Sequence, residues 1–108
     1  MGCWRGNKAM FYITSKKGFH IKFDNGYTVS IQFGPGNYCD NYDMRIGHDE
    51  EKAGADGSTT AECAVLSPHK DGNRGNLIEL PGCNGDTVTN RSNAKEVLEL
   101  MNWASKLK

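Results

Sequence analysis

The sequence predicts an α+β domain in which an antiparallel sheet of about five strands, a meander plus a second hairpin, carries a C-terminal helix on one face. Three observations predict it. Residues 19–33 form two alternating apolar/polar runs about a tight turn, residues 59–80 repeat that pattern less sharply, and helical spacing follows a capping signal at Asn93.

The first strand is Met10-Phe-Tyr-Ile-Thr14, and Ser15-Lys-Lys-Gly18 is its turn. In the next hairpin Phe19, Ile21 and Phe23 alternate with His20, Lys22 and Asp24, while Tyr27, Val29, Ile31 and Phe33 alternate with Thr28, Ser30 and Gln32. A two-residue Asn25-Gly26 loop would set Phe23 against Thr28 and Ile21 against Ser30, apolar against polar along the ladder. A three-residue loop, Asp24-Asn25-Gly26, instead pairs Phe23 with Tyr27, Ile21 with Val29 and Phe19 with Ile31. It requires a left-handed residue at its last position, where Gly26 stands. The expected turn therefore carries a G1 bulge, and His20, Lys22, Thr28, Ser30 and Gln32 share the opposite face, either solvated or a polar binding surface.

From about residue 43 to residue 58 the chain is polar, Gly-containing and without period, which reads as a long loop. Thr59-Thr-Ala-Glu-Cys-Ala-Val-Leu66 resumes strand character, the residues from Pro68 to Gly75 turn, and Asn76-Leu-Ile-Glu-Leu80 returns as the fifth strand, stopped by Pro81-Gly82. Cys83-Asn-Gly-Asp86 turns again, and Thr87-Val-Thr89 is too short to assign. Asn93 is placed to cap a helix with Glu96 at its third position, and Val97, Leu98, Met101, Ala104 and Leu107 recur on one stripe. Lys95 and Glu99 form an i,i+4 pair, and Lys106 and Lys108 suit the negative end of the helix dipole. Trp103 falls off the stripe, so it either widens the buried arc or meets a partner.

With 108 residues and 13 basic side chains against 13 acidic ones, the chain fits a single domain, its first nine residues read as a flexible segment. The basic excess of a nucleic-acid-binding surface is missing, so direct nucleic-acid binding is not expected. A small molecule or a host protein is the expected partner, with a homo-oligomer as one arrangement. No apolar stretch approaches the roughly 20 residues that span a bilayer, and the start lacks the apolar middle of a signal peptide, so no membrane association and a cytoplasmic location are expected. Gly2 invites myristoylation, but Gly6 stands where that pattern needs Ser or Thr. The sequon Asn90-Arg91-Ser92 reads as the approach to the helix. Cys3, Cys39, Cys63 and Cys83 are widely spaced and read as thiols, Cys63 in the core and Cys39 in a polar loop.

Chemistry concentrates in Gly34-Pro-Gly-Asn-Tyr-Cys-Asp-Asn-Tyr42. Tyr38 or Tyr42 can stack on a planar ring while Asn37, Asp40 and Asn41 bond to its edge; the plain alternative is a rigid connection whose side chains satisfy their own backbone. The expected ligand- or partner-binding set is His20, Lys22, Asn37, Tyr38, Cys39, Asp40, Asn41 and Tyr42. The glycines make neither a dinucleotide-binding nor a Walker pattern. Cys39 with His20, His48 or His69 could form a nucleophile and base, although so many pairings arise by chance in a short chain. Zinc fails on ligand spacing, and the calcium-loop pattern fails at both Asp40 and Asp71. No cofactor, no metal and no catalytic residue are assigned. Asp49-Glu50-Glu51 reads as a solvated loop.

Over Gly26-Tyr-Thr-Val-Ser-Ile-Gln-Phe-Gly-Pro-Gly-Asn-Tyr-Cys-Asp-Asn41 the chain resembles a group of small uncharacterised proteins of bacteriophage and environmental viral genomes, with a similar turn, strand and loop. The resemblance covers residues 10–42 well and the remainder loosely. It implies a phage or mobile-element origin and favours stoichiometric binding over catalysis. The expected function is a small non-enzymatic binding protein; the alternatives are an oligomeric protein sequestering a nucleotide defence signal, a small enzyme centred on Cys39 or a His/Asp pair, and a structural subunit of a larger assembly.

Overall fold

The turn after the second strand sets the register of the sheet. Gly26 N–H donates to Phe23 O and Phe23 N–H to Tyr27 O, each at 2.9 Å, while Gly26 sits at φ 89°, in the region that costs other residues a steric clash. This is the G1-bulge turn expected from the sequence, and Ile21 faces Val29 and Phe19 faces Ile31. The computed structural model describes residues 9–14, 17–34, 37–40, 57–69 and 75–108. The expected N-terminal segment and the 43–58 loop lie almost wholly outside them, as do Asp49, Glu50, Glu51, His48 and Cys3.

Four strands stand among the described residues: β1 (Met10–Thr14), β2 (Gly18–Lys22), β3 (Thr28–Gln32) and β4 (Glu62–Leu66). They form one antiparallel sheet in sequence order. Helix α1 (Ala94–Ser105) packs on the face of Val29, Ile31, Cys63 and Val65, where Leu100 and Ala104 complete the buried core.

The fifth strand expected at residues 76–80 is not formed. The flank of β4 is shared instead by two short segments, bridged as Leu66 with Leu77, Ala64 with Val88 and Ala61 with Ser92. Backbone pairing explains why neither extends. Ile78 N–H donates to Val65 O at 3.0 Å and Ser67 N–H to Asn76 O at 2.9 Å, after which the chain leaves the sheet through the turn at Pro81. Further along β4, Thr89 N–H donates to Cys63 O at 2.8 Å, but Cys63 N–H is accepted by the Thr89 hydroxyl, at 2.9 Å, rather than by a carbonyl. The segment at 87–89, too short to assign from sequence, thus supplies part of the missing edge.

The helix begins as expected: Glu96 N–H donates to Asn93 Oδ1 and Asn93 N–H to Glu96 Oε1, both at 2.9 Å, a capping box. Its buried face is rotated from the expected stripe, because Leu98 is exposed while Leu100 is buried. Val97, Met101 and Trp103 pack half-buried against the core, so the indole widens the buried arc. The last turn holds no basic side chain, since Lys106 is already the cap residue. Lys106 N–H donates to Trp103 O at 3.2 Å and Leu107 N–H to Ala104 O at 3.3 Å, and from the β2–β3 turn Asn25 Nδ2 adds bonds to Ala104 O at 2.8 Å and to Leu107 O, just past the helix, at 2.9 Å. Among the described residues no helix is long and apolar enough to cross a membrane.

Candidate functional site

The loop leaving β3 folds onto one carbonyl. Gly34 O accepts from the backbone N–H and the side-chain amide of Asn37, each at 3.1 Å, and lies 3.5 Å from the Cys39 thiol. Cys39 N–H then donates to Asn37 O at 2.7 Å. These bonds turn Cys39 inward, where it is fully buried, and turn Tyr38 and Asp40 outward on either side of it.

Both outward residues are tied to other segments. The Thr59 hydroxyl donates to Asp40 Oδ2 at 2.5 Å, Asp40 N–H donates to Thr60 Oγ1 at 2.9 Å, and Arg91 Nε lies 3.2 Å from Asp40 Oδ1. The Thr59 hydroxyl above all, with Thr60 and Arg91, holds the Asp40 carboxyl below its ordinary value of 3.8 against a smaller opposing loss of hydration. Arg91 N–H donates to Tyr38 O at 2.9 Å. Arg91 itself sits at φ 53°, a conformation that costs a non-glycine residue of order 1–3 kcal/mol and clusters at functional sites. The aromatic ring of Tyr38 is thereby presented from a braced backbone with half of its surface, 51%, in solvent.

The six described residues of the expected set fall in two places, the loop and strand β2. Asn37, Tyr38, Cys39 and Asp40 share the loop, whereas Asn41 and Tyr42 lie outside the described residues. Lys22 faces Thr28 at the far end of the β2–β3 ladder, while Gly18 faces Gln32 at the loop end. At a rise of about 3.3 Å per residue that separates Lys22 from the loop by roughly 13 Å of strand. His20 shares a sheet face with Lys22, as the alternation required, but is only 7% exposed, and Thr28 is buried at 5%. The polar hairpin face is therefore not an open solvated surface. On it Gln32 Nε2 donates to Thr14 Oγ1 at 2.8 Å, and the Thr14 hydroxyl lies 3.0 Å from Gln32 Oε1.

Sequence reasoning missed Arg91, Thr59 and Thr60. Arg91 appeared only inside a sequon, and the two threonines only as strand residues; nothing local indicates that they meet a loop tens of residues away. Beside them an open cleft of about 300 Å³ is lined by Phe33, Thr59, Thr60, Ser92, Ala94 and Val97. A cysteine nucleophile needs an accessible thiolate. Cys39 and Cys63 are both buried, and burial pushes the Cys63 thiol from 9.0 up to about 11. Among the described residues no three His, Cys, Asp or Glu side chains are grouped as a metal would require. No protein-family model, curated protein or solved structure matches the chain.

Proposed function

We propose that this chain is a small non-enzymatic binding protein that acts stoichiometrically, and that its partner is a protein docking on the Tyr38 loop. One observation carries the reading: a half-exposed Tyr38 stands on a backbone fixed by Gly34, Cys39 and Arg91, beside the Asp40–Arg91 ion pair. Binding energy in protein interfaces concentrates in Tyr, Trp and Arg, and a backbone already held in place has less freedom to lose on docking. A cytoplasmic host protein is the partner class if the chain has the phage or mobile-element origin implied by the resemblance over residues 26–41.

The test is capture of partners from host lysate by the immobilised chain, with Tyr38→Ala and the helix-surface variant Leu98→Ser in parallel. A partner held by wild type and Leu98→Ser but lost tenfold or more from Tyr38→Ala supports the reading. Equal capture by all three overturns it. A small ligand co-eluting in place of a protein would transfer the site to the neighbouring cleft and overturn the protein-partner claim.

A further inference from the structure

We infer that the outer edge of β1 is a self-association surface, on which a second copy of this chain adds its own β1 antiparallel across a two-fold axis at Tyr12. The inference stands on β1 alone and is independent of the Tyr38 loop. Among the described residues β1 is an edge of the sheet, and each of the four residues from Met10 to Ile13 is an exposed large apolar or aromatic side chain, Phe11 at 73% and Ile13 at 86%. Edge strands are normally blunted by charge, proline or a bulge. Met-Phe-Tyr-Ile-Thr carries no charge and no proline, and its five residues pair with β2 without interruption.

The hydrogen-bond parity of the sheet selects the register. Phe23 N–H donates to Tyr27 O and Phe33 N–H to Lys17 O, so the odd residues of β2 turn their backbone groups to β3 and the even residues turn theirs to β1. Met10 faces Lys22, Tyr12 faces His20 and Thr14 faces Gly18, so residues 10, 12 and 14 direct their backbone groups inward. The N–H and C=O groups of Phe11 and Ile13 therefore point out of the sheet. In a two-fold antiparallel pair centred on Tyr12, Phe11 of each copy meets Ile13 of the other at the hydrogen-bonded positions. The two Tyr12 residues then meet at the close, non-bonded position between them. The arrangement uses every outward backbone group of residues 11 and 13.

Side-chain chemistry favours the same occupant. Phe11 and Ile13 lie on the helix-covered face, where the Phe11 ring already leans on Phe19 with centroids 6.4 Å apart, so each copy would extend the apolar face of the other. Taking about 200 Å² for each large side chain, the four residues expose on the order of 500 Å² per copy. The pair can thus bury up to about 1,000 Å², the lower bound for a specific interface. The formal net charge of zero adds no repulsion between copies, and an isologous contact closes at two.

Sedimentation equilibrium of the full chain, with Ile13→Lys and Tyr12→Cys variants, tests the inference. The expected result is a mass of two chains for wild type and one chain for Ile13→Lys with an unchanged circular-dichroism spectrum. Mild oxidation of Tyr12→Cys should link two chains through a disulfide between the substituted positions, since residues at non-bonded positions lie about 4.5 Å apart at Cα. If Ile13→Lys fails to fold, the mapped crosslink decides alone. A monomeric wild type, as when the chain's own N-terminal segment lies on β1, would overturn the inference. So would a dimer that survives Ile13→Lys, a crosslink only through native cysteines, or assembly beyond two chains.

Discussion

The side-chain amide of Asn25 donates to the carbonyl oxygen of Ala104 at 2.8 Å, so a residue of the β2–β3 turn closes the C-terminal end of the helix 79 positions away. The same amide reaches Leu107 O, and Asn25 Oδ1 accepts from Tyr27 N–H at 3.0 Å. One side chain thus fixes the turn and fastens α1 to the sheet. Asn25→Ala should lower unfolding free energy by about 1–3 kcal/mol, through loss of the side-chain donor to Ala104 O and Leu107 O and of the acceptor for Tyr27 N–H. Asn25→Asp should cost at least as much although Asp suits the turn equally, because a carboxylate cannot donate and sits at the negative end of the helix dipole. Urea denaturation of the three proteins at neutral pH measures both; a neutral Asn25→Asp would contradict the account.

Gly18 lets β1 and β3 communicate over β2. A Cβ there would run into the Ile31 carbonyl and the Gln32 Cα, both backbone, on the strand whose Gln32 amide bonds to Thr14. Gly18→Ala should therefore destabilise by more than about 2 kcal/mol. Gly57→Ala, with open space around the added carbon, should stay within about 0.5 kcal/mol. Thermal melts of the two variants give the comparison.

The Asp40 anchor should be acid-sensitive. Its folded carboxyl titrates below the ordinary 3.8, held there by Thr59 first. Its contribution is therefore fully present above that value and is lost as pH falls through the lower, folded one. An NMR titration of the Thr59 and Tyr38 amides should show a transition below pH 3.8 in wild type that vanishes in Asp40→Asn. A transition centred above 3.8 would contradict the ion-pair geometry.

Cys63 predicts the opposite, alkaline dependence. Its thiol is raised to about 11 by burial against 9.0 in the unfolded chain, so between these values the folded state holds the proton the unfolded state releases. Stability should be intact below pH 9 and fall by up to roughly 2–3 kcal/mol by pH 11. Cys63→Ser should flatten that slope, read from denaturant midpoints across the range. In the native protein at pH 8, mass-mapped alkylation should reach half-exposed Cys83 before Cys39 or Cys63.

The parts of this fold that were legible in the sequence are those decided by neighbours along the chain. Alternation about Asp24-Asn25-Gly26 dictated a single hairpin register, and Asn93 with Glu96 dictated the helix start, because a one-residue slip in either would expose apolar groups or orphan backbone donors. The apolar run at residues 76–80 misled for the same reason. It has strand composition, but whether it pairs along β4 depends on the competing 87–92 segment, whose Thr89 takes a ladder position. At the candidate site, the density of polar and aromatic residues in the loop, Tyr38 and Asp40 among them, could be read from sequence. That Cys39 turns inward, that His20 is buried and that Arg91 braces Tyr38 depend on tertiary contacts that no local pattern carries.

The most direct test of stoichiometric binding through the Tyr38 loop is native mass spectrometry of the chain isolated from host cells, beside Tyr38→Ala isolated in the same way. The account predicts a complex with a whole number of partner protein chains for wild type and its loss in Tyr38→Ala. The bare chain in both preparations, or the same complex in both, would contradict it.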